Sequence, residues 1–120
     1  MTGGARPRLK GDAFEVAVLK DQEKMGRYCA RLRQGGGECV DLLSVEPCRD
    51  ATDNKSCSLG LGVYHVYLVQ CKARKVGKRA EPLNLMSPAE REALTAEAVK
   101  WNAVPLLAYK RDGVIQYKQV

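Results

Sequence analysis

The run from Val63 to Lys72 constrains the fold more than any other part of the sequence. In an extended strand successive side chains point to opposite sides, and both sides of this run are largely apolar. The two faces consist of Val63, His65, Tyr67, Val69 and Cys71, and of Tyr64, Val66, Leu68, Gln70 and Lys72. Because strands with two apolar faces are typically buried from both sides, the sequence predicts a central strand with elements packed on each face.

Two helices are predicted on either side of this strand in the sequence. The first spans about Gly11 to Met25, with an apolar stripe of Phe14, Ala17, Val18 and Met25. The second begins at Ser87-Pro88-Ala89-Glu90, where serine caps, proline takes the first helical position and Glu90 completes a capping box. Its predicted buried stripe is Leu94, Ala98 and Trp101.

Four further strands complete the predicted α/β fold. They are Tyr28–Arg33, Cys39–Val45, Val104–Tyr109 and Val114–Tyr117. The element order is then α-β-β-β-α-β-β, and a strand, crossover helix and strand in succession imply a parallel pair. We therefore expect a mixed five-stranded β-sheet flanked by α-helices.

The length of 120 residues suits one domain. We expect residues 1–9 to form a flexible basic arm, residues 10–120 a single domain, and the polar segment 47–62 a loop or hairpin insertion. There is no apolar run long enough to span a membrane and no secretory signal pattern, so we expect a cytoplasmic protein. Its five cysteines include no Cys-x-x-Cys pair, which excludes the usual zinc-finger spacings and favours free thiols, although Cys48 and Cys57 could approach each other.

The formal net charge of +6 has two possible explanations: a polyanionic partner, most often nucleic acid, or solubility alone. A candidate site for such a partner lies where apolar strands carry polar residues. Asp41 stands among apolar residues, Gln70 and Lys72 share one face of the central strand, and Glu15 lies beside the stripe of the first helix. Oxygen ligands and a lysine that converge at one sheet edge suit Mg²⁺ and a phosphodiester. Taken singly, each of these residues also fits an ordinary structural or solvated position.

The order of these motifs resembles the PD-(D/E)XK nuclease superfamily. The matching segments are Gly11-x-x-x-Glu15, Val40-Asp41-Leu42-Leu43 and Leu68-Val69-Gln70-Cys71-Lys72-Ala73. Within the superfamily the chain is most similar to archaeal-type Holliday junction resolvases, which some phages also carry. The likeness continues through Leu83-Asn84-Leu85, the capped helix and the segment 104–110.

This resemblance implies a restriction-endonuclease-like fold and a Mg²⁺ site in which Mn²⁺ can substitute. Carried over by position, the catalytic residues are Glu15, Asp41, Gln70 and Lys72, with Lys72 serving the attacking water. The implied metal ligands are Glu15, Asp41, Gln70 and the backbone carbonyl of Cys71.

Three features depart from the family pattern. Gln70 stands where the family has an acid, which should weaken the charge of the site and make Glu15 more important. The glycine loop, Gly35-Gly36-Gly37, lacks the family's serine. The insertion at 47–62 is longer than the usual turn, and its role is open.

Basic residues flank the proposed site, where phosphates would lie. The candidate DNA contacts are Arg6, Arg8, Lys10, Arg31, Arg33, Gly36, Arg74, Lys75, Lys78 and Arg79. Phosphate contacts carry affinity without sequence information, so we expect recognition of branched shape. The alternative interpretation is that each group of basic residues lies in a solvated loop.

The sequence thus predicts a Mg²⁺-dependent, structure-selective endonuclease that resolves four-way DNA junctions by paired symmetric nicks. Two symmetric nicks imply a two-fold homodimer. We expect neither a membrane partner nor a small-molecule cofactor. The alternatives are a flap or other branched-DNA nuclease of the same superfamily, a DNA-binding module that has lost catalysis, and, least favoured, an RNA-binding domain, for which no aromatic platform is visible.

Overall fold

The elements of the protein follow the predicted order in a computed structural model, which describes residues 5–32, 40–47 and 64–120, with side chains from Gly11 onward. The helices are α1 (Ala5–Lys24) and α2 (Pro88–Lys100), with a short 3-10 helix at Pro82–Leu85. The strands are β1 (Tyr28–Arg31), β2 (Leu42–Pro47), β3 (Tyr64–Lys75), β4 (Val104–Arg111) and β5 (Val114–Gln119). The predicted mixed α/β fold is therefore confirmed.

Strand β3 lies at the centre of the sheet. The strands run β1-β2-β3-β4-β5 across a five-stranded sheet, in sequence order. The β3·β4 pair is parallel, as the helical crossover predicts, with Tyr67 opposite Val104 and Cys71 opposite Ala108. The other three pairs are antiparallel.

Both faces of the sheet are covered, as the apolar pattern of β3 predicts. Val69 packs in a cluster with Phe14 and Val18 of α1. Its neighbour Leu68 points to the opposite side and packs in a second cluster with Leu94 of α2. Each large apolar side chain buried in this way contributes roughly 1.5–3 kcal/mol, so a helix on each face stabilises the central strand.

The start of α2 is confirmed in detail, whereas the start of α1 is not. The Ser87 hydroxyl accepts from the Glu90 backbone N–H at 3.1 Å, and the Glu90 side chain accepts from the Ser87 N–H at 2.9 Å. Helix α1 begins at Ala5 rather than Gly11, so residues 5–9 of the expected arm lie in a helix. Gly11 therefore lies inside the helix, where a glycine costs only about 1 kcal/mol relative to alanine, and the other residues of α1 outweigh that cost.

Met25 and Pro47 differ from their predicted places. Met25 follows the end of α1 at Lys24 and is 44% exposed, so it does not belong to the apolar stripe of that helix. Pro47 is the last residue of β2, because it pairs with Tyr64 of β3, and it is not part of the predicted 47–62 insertion.

Two further sequence predictions are wrong. Strand β3 continues to Lys75, so residues 73–75 belong to the sheet and not to a basic exit loop. Trp101 is 60% exposed instead of buried, because it is the C-cap of α2, where helical geometry ends, and its indole N–H donates to Glu97 at 2.9 Å. Within the described residues, no helix combines the length and apolar character needed to cross a membrane.

Candidate active site

Asp41 is held against the central strand by its backbone and its side chain. It precedes β2, which begins at Leu42, rather than lying within a strand as predicted. Its N–H nevertheless donates to the carbonyl of Val69 at 2.9 Å. Its Oδ2 accepts from the backbone N–H of Cys71 at 2.7 Å. The carboxylate is therefore fixed beside the segment of β3 that carries Gln70 and Lys72.

The carboxyl group of Asp41 lies in an environment that disfavours its charge. Burial raises the pKa of Asp41, and the nearby Glu15 carboxylate raises it further, whereas the Cys71 N–H and the cations of Lys72 and Arg31 act in the opposite direction. The net pKa shift is upward. A buried carboxylate close to a second acid is stabilised by a bound cation.

Gln70 and Lys72 meet an acidic side chain of the second helix. They lie two residues apart on β3 and therefore on one face. The Lys72 Nζ lies 2.7 Å from Glu90 Oε2, and the Gln70 Nε2 donates to the same oxygen at 3.1 Å. The register of β3 with β4 shifts between Cys71 and Lys75, directly at this site. Irregular strand pairing of this kind often lies next to active sites.

Glu90 is a site residue that the sequence did not predict. The sequence assigned it only to the capping box, and the spacing of 18 residues from Lys72 gave no reason to join them. The missing acid at Gln70 is the one signal that could have prompted a search for a carboxylate elsewhere. The hydrogen bond from Lys72, together with that from the Ser87 N–H, lowers the pKa of Glu90 to about 2, so the carboxylate is ionised at neutral pH.

The amide oxygen of Gln70 is buried and has no hydrogen-bond partner. A carboxylate accepts hydrogen bonds, so Gln70 must turn its nitrogen toward Glu90 and leave its oxygen free. The other such buried atoms among the described side chains are guanidinium nitrogens, Nε of Arg91 and Nε of Arg111, which are donors. An unpaired buried oxygen costs about 1–3 kcal/mol, and an oxygen-seeking cation would satisfy it.

Glu15 lies on α1 and is bound by Arg31. Arg31 donates to Glu15 Oε1 from two nitrogens, at 3.0 and 3.3 Å, and to Asp12 at 3.2 Å. The charge of Glu15 affects Asp41, so α1 brings the two predicted carboxylates into one electrostatic neighbourhood. In the part of the chain that the structure describes, no three His, Cys, Asp or Glu side chains group to hold a metal. A Mg²⁺ ion here would be held by one or two carboxylates together with oxygens of another kind, such as water or the amide oxygen of Gln70.

The remaining predicted site residues differ in what the structure says of them. Arg31, Arg74, Lys75, Lys78 and Arg79 are exposed. Arg6, Arg8 and Lys10 lie on the helical backbone of α1, and their side chains are not described. Arg33, Gly36, the glycine loop, Cys48, Cys57 and insertion residues 48–62 lie outside the described residues. Cys29 and Cys71 are free thiols, as expected, and burial raises the pKa of both.

A second polar cluster, which we call the Glu46 network, lies at the other end of β2 and β3. Glu46 accepts from Tyr67 Oη at 2.5 Å and from Arg27 Nε at 3.2 Å, and it lies 3.5 Å from His65 Nδ1. Arg27 also donates to Gln22 at 2.8 Å and stacks over the Tyr67 ring. Although burial opposes the shift, the bonds from Tyr67 and Arg27 lower the pKa of Glu46. The sequence did not predict that these residues contact one another.

Comparison with solved structures relates this geometry to a known fold. The chain is similar to Hjc, a Holliday junction resolvase of the archaeal hyperthermophile Archaeoglobus fulgidus, with a TM-score of 0.58 and 19% sequence identity. The match covers 92% of this chain and 72% of the resolvase. No protein-family model and no curated protein sequence matches the chain. The similarity confirms that the chain has a resolvase-like nuclease fold.

Proposed function

We propose that this protein is a Mg²⁺-dependent, structure-selective endonuclease that resolves four-way DNA junctions. The observation that carries the proposal is the unpaired Gln70 oxygen on the segment of β3 to which the desolvated Asp41 carboxylate is bonded through the Cys71 N–H. Lys72 lies on the same face of that segment as Gln70, two residues further on. The structural likeness to an archaeal resolvase supports the same class of reaction. Lysine and oxygen ligands together suit the hydrolysis of a phosphodiester.

The chain's own residues would divide the chemistry between them. Asp41, Glu15 and the Gln70 oxygen would hold the cation, with the Cys71 carbonyl as a further expected ligand. When bound, Mg²⁺ lowers the pKa of a water ligand and neutralises phosphate charge. Lys72 would orient the attacking water or stabilise charge that develops on the phosphate oxygens. For either role the Lys72 ammonium must leave Glu90, or donate to Glu90 and to the substrate or water at the same time.

Substrate binding would use the exposed basic residues around the site. Arg74 and Lys75 continue β3 beyond Lys72, and Lys78 and Arg79 follow that strand. Contacts of this kind bind phosphates without reading bases, so selectivity would come from the branched shape. A junction needs two symmetric nicks, and a chain with one site supplies two when it forms a two-fold homodimer.

Cleavage assays with matched DNA substrates test this proposal. The purified protein is incubated with a synthetic four-way junction, a flap and a linear duplex, with Mg²⁺, Mn²⁺ or EDTA. We expect paired symmetric nicks in the junction only, dependent on the metal, and abolished in Asp41→Ala and Lys72→Ala but not in the exposed α2 control Glu92→Ala. Preferential cutting of the flap would favour another branched-DNA nuclease.

The second candidate function is a DNA-binding module without catalysis. The neutral side chain at Gln70, where the resembled family has an acid, is the observation that favours it. Tight junction binding with no cutting in either metal would support it and contradict the nuclease. If Gln70 is a ligand, Gln70→Glu retains activity or changes the metal preference, and complete loss would contradict that placement.

A further inference from the structure

We propose that Glu90 is the positioning residue of the metal site and that Gln70 and Glu90 together replace the family's acid. In this inference, which rests on the proposed nuclease function, Glu90 turns the Gln70 amide so that its oxygen is available to the cation. The negative charge that Gln70 lacks is supplied by a neighbouring helix.

The hydrogen bonds of Glu90 carry the argument. Its Oε2 accepts from Gln70 Nε2 at 3.1 Å and Lys72 Nζ at 2.7 Å, while its Oε1 accepts from the Ser87 N–H at 2.9 Å. Three donors therefore fix one carboxylate, and Glu90 is itself a poor candidate for a direct metal ligand. The contact that uses the Gln70 nitrogen is also the one that leaves the Gln70 oxygen unpaired.

The amide of Gln70 has no intrinsic reason to present oxygen to a cation. Its two ends have almost the same shape, and the surrounding hydrogen bonds decide which end points where. A carboxylate that accepts from the nitrogen settles this choice. Partners of metal ligands commonly orient them in this way, and their loss weakens metal binding by about 10–100-fold.

The substitution Glu90→Gln distinguishes this role from helix capping. Glutamine is accepted at this position of a capping box, so α2 should keep its start. With its oxygen on the Ser87 N–H, however, the new amide nitrogen would face the donors of Gln70 and Lys72. The Gln70 amide would then reverse and present its nitrogen to the cation.

The experiment measures Mn²⁺ binding to the full chain by calorimetry and electron paramagnetic resonance, in the absence of DNA. We expect Glu90→Gln to raise the Kd for Mn²⁺ about 10–100-fold, measured at a temperature at which circular dichroism shows both proteins folded. The matched control is Glu92→Gln, an exposed residue of the same helix, which should bind as the wild type does. Wild-type affinity in Glu90→Gln would overturn the inference.

An exchange of the two side chains provides a second measurement that remains informative if Glu90→Gln is unstable. In the double variant Gln70→Glu/Glu90→Gln, acid and amide trade places and the hydrogen bond between them can form again. We expect it to bind Mn²⁺ at least as tightly as the wild type. A double variant as weak as Glu90→Gln alone would contradict the pairing.

The same assays separate this inference from the proposed function. If the wild type binds Mn²⁺ and cuts the junction while Glu90→Gln behaves as Glu92→Gln does, the positioning role is wrong and the nuclease stands. If the wild type neither binds Mn²⁺ nor cuts any substrate, both are overturned.

Discussion

Strands β2 and β3 carry a polar cluster at each end, and the carboxyl pKa is lowered in one cluster and raised in the other. In the Glu46 network, Tyr67 and Arg27 donate to Glu46 and outweigh the effect of burial, so the pKa of the carboxyl group falls. At the candidate active site, burial outweighs the Cys71 N–H, so the pKa of Asp41 rises. The Gln70 oxygen there has no partner at all.

This difference separates a structural polar cluster from one that is built for a ligand. The ionised form of Glu46 stabilises the folded protein, whereas the ionised form of Asp41 destabilises it in the absence of a cation. Natural proteins tolerate such local conflicts at functional sites and compensate for them elsewhere. The Glu46 network and the two apolar clusters provide that compensation on the same strands.

The largest expected effect is on catalysis by Asp41→Asn. Loss of several kcal/mol of charge stabilisation at the site should lower the rate of junction cleavage at least about a thousandfold. In EDTA, however, the melting temperature should stay equal or rise, because a desolvated charge is removed while the amide oxygen can still accept from the Cys71 N–H. Single-turnover cleavage and calorimetry measure the two quantities. A large fall in the melting temperature would place Asp41 with the structural cluster.

Glu46→Gln should show the reverse pattern. It removes the charge that Arg27 and Tyr67 contact, so the free energy of unfolding should fall by about 2 kcal/mol. Cleavage per folded molecule should be unchanged, since Glu46 lies on β2 opposite His65, at the end of the two strands away from Asp41. Urea denaturation and active-site titration check this expectation, and a loss of cleavage beyond the loss of folded protein would couple the two clusters.

The pH dependence of stability in EDTA should carry opposite signs in these two variants. Because the folded-state pKa of Glu46 is lowered, its stabilising effect is full above its ordinary value of 4.5 and is lost as the pH falls through the folded-state pKa. Because the pKa of Asp41 is raised, its destabilising effect appears as the pH rises from 3.8 through its folded-state pKa. Urea denaturation of the wild type, Glu46→Gln and Asp41→Asn from pH 7 to 3 measures the free energy of unfolding. At pH 7 it should be lower than the wild type's in Glu46→Gln and equal or higher in Asp41→Asn, and both differences should shrink as the pH falls. Two differences of the same sign would refute the comparison.

Mg²⁺ should stabilise the active-site end of the sheet selectively. At a concentration ten times the Kd, binding adds about 1.4 kcal/mol to the free energy of unfolding. We expect this shift in the wild type and in Glu46→Gln, and none in Asp41→Asn. Thermal denaturation with and without Mg²⁺ measures it, with K⁺ at equal ionic strength as the control, and an equal shift in all three proteins would indicate nonspecific ion binding.

The smallest effect on stability is expected from Arg31→Ala. Its side chain is 39% exposed, and exposed ion pairs such as those with Glu15 and Asp12 contribute about 0–1 kcal/mol. Junction affinity should fall, and the salt dependence of binding should weaken by about one phosphate contact. Equilibrium binding at several salt concentrations tests this, and an unchanged salt slope would show that Arg31 serves Glu15 alone.

Local patterns in the sequence predicted much of this fold. The two apolar faces of β3 and the capping box at Ser87 depend on neighbouring residues, and the structure confirms both. The end of β3 was missed because a basic run resembles a loop, and only pairing of Lys75 with Lys110 of β4 makes it a strand. Glu90 and the Glu46 network were missed for a related reason, since contacts across 18 to 21 residues leave no periodic signal.

The double use of Glu90 has a consequence for the dynamics of the site. The first turn of α2 is held by the same carboxylate that contacts Gln70 and Lys72. Helix ends open more readily than helix centres, and each opening of this turn would release both side chains at once. Amide hydrogen exchange at Ser87 and Glu90 would therefore report how often the site comes apart. The lifetime of one helical turn sets an upper limit on the time for which the site stays assembled.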